Sequence, residues 1–177
     1  MKKANLSRQI LYSLLIVFVL LPRSSIAQDS FDLKAAFTYN FAKFTQWPES
    51  RLHEKSAWKI CFFGNQYRDS FIELANKKLA GQSIAVIQLS ETSAIAQCDV
   101  VFIDTNSRDL TRRLFLAVDN KPILTVSDIS GFAVQGGMIE IIEQDKRLYF
   151  NINSKVLEAS GLNISSQVLK LALEVKR

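Results

Sequence analysis

The polar residues that could do chemistry stand just after apolar runs that we predict to be strands. Three such runs end in Gly64-Asn65, Asp104-Thr105 and Ser127-Asp128. Ligands in open parallel sheets bind beyond the carboxyl ends of the strands. Asn65, Asp104 and Asp128, with Asn40 of a preceding helix nearby, would therefore form the pocket if the protein were a small-molecule-binding module, which is the alternative function given below.

The same residues do not form a recognisable catalytic set. Asp104 and Asp128 could act as acid and base, but aspartates at strand ends more often cap turns. Ser127 beside Asp128 has no histidine to complete a triad, because the single histidine, His53, lies in a polar linker. Two cysteines and one histidine are too few for a metal site. The sequence therefore predicts no enzyme activity, no metal and no cofactor.

The first element that could position these residues is an amphipathic helix over 31–47. Asn40 falls inside its apolar stripe, where a buried amide would need partners. Tyr39 points to the opposite side, where core packing does not explain an aromatic ring. Apolar residues recur at helical spacing and are predicted to face the core; they are Leu33, Phe37, Phe41 and Phe44.

Strands and helices are predicted to alternate through the middle of the chain. The run over 100–104 is continuously apolar, which is typical of a strand buried on both faces. The alternation predicts a mostly parallel central sheet with helices on both faces. The predicted strands are 58–63, 83–89, 100–104 and 122–126, and the helices between them are 69–78, 91–96 and 107–118.

The last third of the chain has a different pattern. Residues 138–143 and 147–151 are predicted to form an antiparallel hairpin. Asn153 is expected to cap a short helix that ends at Gly161. A final helix, capped by Ser165 or Ser166, is predicted to continue to Val175. The fold class is thus α/β, a single domain in which a C-terminal hairpin and helices follow the parallel sheet.

Residues 1–27 have the layout of a secretory signal peptide. Lys2, Lys3 and Arg8 precede an apolar run over 10–21, which is too short to span a bilayer comfortably. Small residues at Ser25 and Ala27 suit a cleavage site. We expect an exported mature domain over 28–177.

The predicted cleavage changes the charge of the protein. The whole chain has 22 basic and 17 acidic residues. Four of the basic residues, Lys2, Lys3, Arg8 and Arg23, leave with the signal peptide, so the mature domain is nearly neutral. No cluster of Lys and Arg with interleaved aromatic rings remains, and nucleic-acid binding is not expected.

Two cysteines remain in the exported domain. An even number favours a disulfide in an oxidising compartment. Cys61 lies in the first predicted strand and Cys98 opens the third, and these strands commonly lie side by side in an open α/β sheet. Two buried reduced thiols are the alternative.

Several segments in a fixed order identify a family. The helix KAAFTYNFAKFTQWP, the strands ICFFG and CDVVFID, and the block TVSDISGFAVQGGMIEI followed by FNINSKVLEASGLNISSQVLKLA together resemble the YfiR family, over about 33–173. The resemblance implies a compact α/β domain, often dimeric, in the periplasm of a Gram-negative bacterium. It also implies that Cys61 and Cys98 form the disulfide of the family.

The resemblance further implies a regulatory partner. In the best-known system the YfiR protein represses the inner-membrane diguanylate cyclase YfiN by binding its periplasmic region, and the outer-membrane lipoprotein YfiB relieves that repression. We therefore expect a periplasmic repressor of cyclic di-GMP output that forms a homodimer and binds the periplasmic region of such a cyclase or of another receptor. An outer-membrane lipoprotein is a second expected partner.

Four residues are candidates for contact with that partner. Phe132, Val134 and Gln135 lie in the glycine-rich loop, and Tyr39 lies on the first helix. An aromatic ring in a loop can anchor an interface, or it can cover the core. The alternative function is a periplasmic small-molecule-binding module that serves a histidine kinase or a transporter, with the strand-end residues as its pocket.

Overall fold

The computed structural model describes residues 26–52 and 56–177. The signal peptide predicted over 1–27 lies almost wholly outside the described residues, as does His53. Within the described part, no helix is both long enough and apolar enough to cross a membrane.

Ten strands occur in the described residues. Eight of them form one sheet in the order β10-β8-β7-β6-β5-β2-β4-β3, and β1 and β9 form a separate ladder. In chain order the strands are β1 (Thr45–Gln46), β2 (Ala57–Phe62), β3 (Lys78–Leu79), β4 (Gln82–Gln88), β5 (Val100–Ile103), β6 (Leu124–Ser127), β7 (Ile139–Gln144), β8 (Arg147–Asn153), β9 (Asn163–Ile164) and β10 (Glu174–Lys176).

The α-helices of the described residues connect these strands. Short 3-10 helices of three to six residues lengthen several connections, at 65–67, 73–76, 92–97 and 105–110. The helices are α1 (Ile26–Lys43), α2 (Glu49–Leu52), α3 (Arg68–Ile72), α4 (Thr111–Val118), α5 (Phe132–Gln135), α6 (Ser154–Ala159) and α7 (Ser166–Leu169).

The central five strands are parallel and doubly wound. From β2 the chain passes to β4 on one side, and then returns to β5, β6 and β7 on the other. This reversal lies between β2 and β5, and in such sheets the carboxyl ends of the strands at the reversal border the crevice where ligands bind. The hairpin β7–β8 is antiparallel, and β10 pairs parallel to β8.

Two layers of side chains cover the sheet. Successive residues of a strand point to opposite faces, and all four residues of β5 are buried. On one face, Phe102 packs in a cluster with Phe41 of α1 and Phe71 of α3. On the other face, Val101 packs in a cluster with Leu114 of α4. The predicted fold class, a mostly parallel α/β sheet with helices on both faces, is confirmed.

The buried face of α1 differs from the predicted one. Leu33 and Phe44 were expected in the core, but they are 42 and 39% exposed. Asn40 is exposed as well, and not inside a buried stripe. The helix is rotated so that the polar residues Lys34 and Thr38 face inward. These two polar side chains can be buried because both have partners. Thr38 Oγ1 donates to the carbonyl of Lys34 at 2.9 Å, and the Lys34 ammonium has the carboxylate partners described below.

The predicted final helix is too long. Helix α7 begins after Ser165, whose hydroxyl accepts from the Val168 amide, and it ends at Leu169. The next residues turn and form β10, so Leu171 is 73% exposed instead of packed on a helix face. The apolar spacing of Val168, Leu171 and Val175 suits a helix by itself. The edge of β8 favours a strand here, because pairing with β10 satisfies backbone groups of β8 that a C-terminal helix would leave without protein partners.

Candidate functional site

A group of polar side chains, here called the polar cluster, lies at the carboxyl ends of the parallel strands. It consists of Lys34, Tyr67, Asp104, Asp128 and Glu143. Lys34 reaches it from α1, and its Nζ lies 3.0 Å from Asp128 Oδ2 and 3.1 Å from Glu143 Oε2. The side chains of Lys34 and Asp128 are each 10% exposed, so this pair is largely removed from water.

Asp128 is the centre of the polar cluster because both of its carboxylate oxygens are used. Oδ2 accepts from the Tyr67 hydroxyl at 2.6 Å in addition to Lys34. Oδ1 accepts from the Thr105 amide at 3.0 Å and from the Thr105 hydroxyl at 3.1 Å. This carboxylate therefore joins α1, the segment after β2 and the segment after β5 at one point.

The contacts shift the pKa values of three members. Burial would lower the pKa of the Lys34 ammonium, but the charges and hydrogen bonds of Asp128 and Glu143 outweigh burial and raise it. The pKa of Glu143 is lowered by the hydrogen bond from Ser30 and by Lys34. Burial and the hydrogen bond to Asp128 raise the pKa of the Tyr67 phenol far above its usual value. Tyr67 is therefore a neutral donor at any physiological pH.

Asp104 lies beside this network at the reversal of the sheet. It is completely buried, and its Oδ2 accepts from Gln66 Nε2 at 2.8 Å. Its Oδ1 is also buried and has no hydrogen-bond partner in the described part of the chain. Gly64 lies directly against the carboxylate: a Cβ there would collide with it, and the φ of +95° is one that side chains rarely adopt.

Burial, and after it the charge of Asp128, raise the pKa of Asp104 above 3.8. A carboxyl whose pKa is raised by folding holds its proton more tightly in the folded state than in the unfolded state. The free energy of unfolding therefore falls as the pH rises from about 3.8 through the folded pKa, and the penalty persists at higher pH.

Asp104→Asn should remove this pH-dependent penalty. We expect the free energy of unfolding of the variant, minus that of the wild type, to be larger at pH 7 than at pH 4. The amide can also change stability by an amount that does not depend on pH, and that amount cancels in this comparison. Urea unfolding of both proteins at the two pH values measures the change. A difference between variant and wild type that is the same at both pH values would contradict the raised pKa of Asp104.

The predicted pocket residues are only partly brought together. Asp104 and Asp128 lie at the same edge, both near Thr105, and Asn65 stands at the end of β2, where its Oδ1 accepts from Gln88 at 2.6 Å. Asn40 is exposed on α1, six residues and therefore roughly 9 Å along the helix axis from Lys34. An open cleft of about 410 Å³ adjoins the polar cluster, and its walls include Lys34, Asp128 and Glu143. Ligand binding there stays a prediction.

The glycine-rich loop is held by a buried carboxylate that the sequence analysis did not single out. Glu140 of β7 is 5% exposed. Its oxygens accept from the amide of Gly131 at 2.9 Å and from the amide of Ala133 at 3.2 Å. The short helix α5 is thereby fixed against the sheet. A Glu near the start of a strand, seven residues after a Gly-Phe-Ala turn, is a sequence signal for such a cap.

The four predicted contact residues have different environments. Of the two alternatives for Phe132, an interface anchor or a cover of the core, the structure shows the second: the side chain is completely buried, and its ring centroid lies 5.4 Å from that of Phe115. Val134 is 65% exposed, and Gln135 is exposed too. Tyr39 is half-buried, and its hydroxyl donates to the Lys78 carbonyl at 2.9 Å. Tyr39 therefore holds α1 to the edge strand β3.

An apolar groove of about 290 Å³ lies between α4, α6 and the end of α5, where Gln135 and Gly136 form part of its wall. Sequence reasoning missed this groove because its walls come from three separated segments. The walls are mainly apolar, and Gln135 and Lys155 are among their polar residues. The apolar residues of the walls include Phe115, Val118, Met138, Val156 and Ala159, together with Gly136. A concave apolar surface of this kind is suited to contact with another protein.

The disulfide predicted between Cys61 and Cys98 is present, with the Cα atoms 6.0 Å apart. Both cysteines are completely buried. The bond links β2 to the segment that enters β5, the two strands that border the crevice. It therefore ties the amino-terminal side of β5 to β2, within the buried layer opposite α1.

The fold and the polar cluster define a doubly wound α/β domain with a buried ion pair at the carboxyl edge of its sheet, and comparison with known proteins gives its family. A model of the YfiR/HmsC-like family matches residues 31–173. This chain belongs to the YfiR/HmsC-like family. The search of curated proteins found no match.

Two solved structures share the fold at low sequence identity. One is a conserved domain protein from Vibrio cholerae O1 biovar El Tor, with a TM-score of 0.56 and 11% identity over 81% of this chain. The other is described as the ABC domain in complex with L-Trp from Streptococcus pneumoniae, with a TM-score of 0.57 and 13% identity over 80% of this chain. This chain spans 60% of the length of each. These similarities concern the fold alone.

Proposed function

We propose that this protein is a periplasmic regulator that represses an inner-membrane diguanylate cyclase by binding its periplasmic region. The observation that carries the proposal is the family match, which extends over residues 31–173 and so over nearly the whole described fold. A regulator of this kind acts by binding one state of its target more tightly than the other. It therefore needs a specific protein-binding surface and no reaction chemistry.

The apolar groove and its rim supply such a surface. Val134 is exposed on α5, one residue before the groove residue Gln135, and Gln135 and Lys155 offer polar contacts in the groove wall. The capping of α5 by Glu140 makes the rim rigid, which lowers the entropy lost on binding. We assign the partner-binding surface to this groove, with Val134 as its exposed anchor. Phe132 supports it from below and is not itself a contact.

Val134→Asp tests this surface. A carboxylate at an apolar contact must be desolvated on binding, and we expect affinity for the cyclase to fall by roughly tenfold or more. In a strain that lacks the gene, the variant chain should fail to lower intracellular cyclic di-GMP as the wild-type chain does. Its free energy of unfolding should change by less than about 0.5 kcal/mol, since residue 134 is exposed.

Ile72→Asp is the matched control for that experiment. Ile72 is also an exposed apolar residue, at 45%, but it lies on α3, away from the groove. This variant should regulate cyclic di-GMP as the wild type does. Equal loss of regulation in both variants, or in neither, would remove the groove from the proposal while leaving the family membership intact.

The open cleft at the polar cluster favours a second candidate function, a periplasmic small-molecule-binding module. The cleft lies at the carboxyl ends of the strands, where ligands bind in this class of sheet. One structural neighbour is described in complex with L-Trp. This reading predicts that an amino acid, tested first as L-tryptophan, raises the melting temperature of the isolated protein.

A further inference from the structure

We propose that the open cleft at the polar cluster binds an extended peptide segment with a basic side chain, which pairs with β7 as an added strand. The cleft has a volume of about 410 Å³, and its walls include residues of β7. Addition of a peptide strand to an exposed sheet edge is a common mode of recognition. This inference does not rest on the proposed regulatory function, and its occupant differs from the small molecule of the second candidate function.

Strand β7 continues beyond the end of its neighbour β6. The two strands pair as far as Ser127 and Glu140, whereas β7 continues to Gln144. After Ser127 the chain turns toward the segment that follows β5, since the Asp128 carbonyl accepts from the Thr105 hydroxyl at 3.3 Å. The last four residues of β7 therefore have no β6 residue beside them, and three of these four form part of the cleft wall.

The backbone of this extension directs hydrogen-bonding groups into the cleft. The Asn153 amide donates to the Met138 carbonyl at 2.8 Å, so Met138 directs that carbonyl toward β8. Successive residues of an antiparallel ladder direct their backbone groups to opposite sides. Ile141 and Glu143 therefore face away from β8. The Ile141 carbonyl and both backbone groups of Glu143 lie on the side of the cleft, where an added strand would satisfy them.

The charges of the cleft favour a basic partner. Its walls contain three carboxylates, those of Asp128, Glu140 and Glu143, and one ammonium, that of Lys34. The single positive charge is shared between Asp128 and Glu143, and the Glu143 side chain is 43% exposed. A lysine or arginine of an added strand beside Glu143 would offset the excess negative charge. Ile142, on the other face of β7, is half-buried and offers apolar contact to the alternate side chains.

The edge strand β3, at one end of the sheet, lacks these features. It is only two residues long, and Tyr39 donates to the carbonyl of its Lys78. Lys77 and Lys78 are both exposed, and lysines at an edge discourage strand pairing. A basic peptide is therefore expected at β7 and not at β3.

A peptide titration followed by NMR tests the proposal on protein purified from cells that express the full chain. The probe is the acetylated peptide Val-Thr-Val-Lys-Val-Thr-Val, whose side chains alternate as those of a strand do. We expect saturable binding with a Kd of roughly 100 µM. The largest shifts should occur at the amides of Ile141 and Glu143.

Two N-methylated isomers of the peptide distinguish strand addition from binding of the amine alone. One has methyl groups on the amides of the lysine and the threonines, and the other has them on the amides of the three internal valines and the last valine removed. An added strand pairs through one edge only, so methylation of that edge removes its hydrogen bonds. The two isomers should differ in affinity by about tenfold or more. Equal affinities would overturn the proposal.

Glu143→Gln tests the charge contact, because the amide oxygen can still accept from Ser30 and Lys34. The variant should bind the lysine peptide roughly fivefold more weakly, and should bind a peptide with threonine in place of lysine as the wild type does. Glu73→Gln makes the same change on an exposed residue outside the cleft and should have no effect. Thermal unfolding checks that each variant is folded.

Two further results would overturn the proposal. One is the absence of saturable shifts up to about 1 mM peptide, and the other is an unchanged affinity of Glu143→Gln for the lysine peptide. Neither result bears on the regulation of cyclic di-GMP, because the titration contains no cyclase.

Discussion

Lys34→Met is expected to lower the free energy of unfolding by about 3–5 kcal/mol. The substitution keeps the apolar length of the side chain but leaves Asp128, which is 10% exposed, without its cation. Removing one partner of a buried ion pair costs this much because the remaining charge is desolvated and uncompensated. Urea unfolding at pH 7 measures the loss.

The control for this experiment is Lys155→Met, which removes the charge of an exposed lysine on α6 and should cost less than about 0.5 kcal/mol. The double variant Lys34→Met/Asp128→Asn removes both charges of the buried pair and should recover part of the loss. A loss below about 1 kcal/mol for Lys34→Met would show that α1 is not held by this pair.

Cys61→Ala/Cys98→Ala is the second change for which we expect a large effect. The two cysteines are separated by 37 residues in sequence, and for a loop of that size the chain-entropy model gives about 4 kcal/mol of stabilisation. We expect a loss of that size in urea unfolding under non-reducing conditions. The melting temperature should fall by roughly 10 °C.

A reducing agent separates the disulfide from the packing of the two side chains. With dithiothreitol the wild type should lose most of its stability advantage over the double alanine variant, while the free energy of unfolding of that variant should not change. If reduction left the wild type unaffected while the double variant was unstable, the lost packing of two buried side chains would explain the effect and the disulfide would not.

The parallel sheet could be predicted from sequence because its signals are local. Strand β5 is four apolar residues buried on both faces, and the hairpin β7–β8 turns at Asp145-Lys146, which both have positive φ. Asn153 caps α6 as expected, since its side chain accepts from the Val156 amide. These features depend on neighbours in sequence, so the pattern alone determines them.

The errors concern contacts between distant segments. Lys34 is buried because Asp128 and Glu143 lie 94 and more residues away in sequence and meet it in space. No hydrophobic pattern indicates that a lysine, and not Leu33, faces the core. Whether Phe132 anchors an interface or covers the core could not be decided from sequence for the same reason, because α5 is held by Glu140, which accepts from the Gly131 and Ala133 amides. The polar cluster could be expected at the strand ends, but its central ion pair could not.

The central claim is that this protein represses cyclase output from the periplasm. Its most direct test is the intracellular concentration of cyclic di-GMP in a strain deleted for the gene, complemented with the full chain or with a chain that lacks residues 2–27. We predict that the concentration rises on deletion and that only the full chain lowers it again. An unchanged concentration on deletion, or equal rescue by the chain without residues 2–27, would contradict the claim.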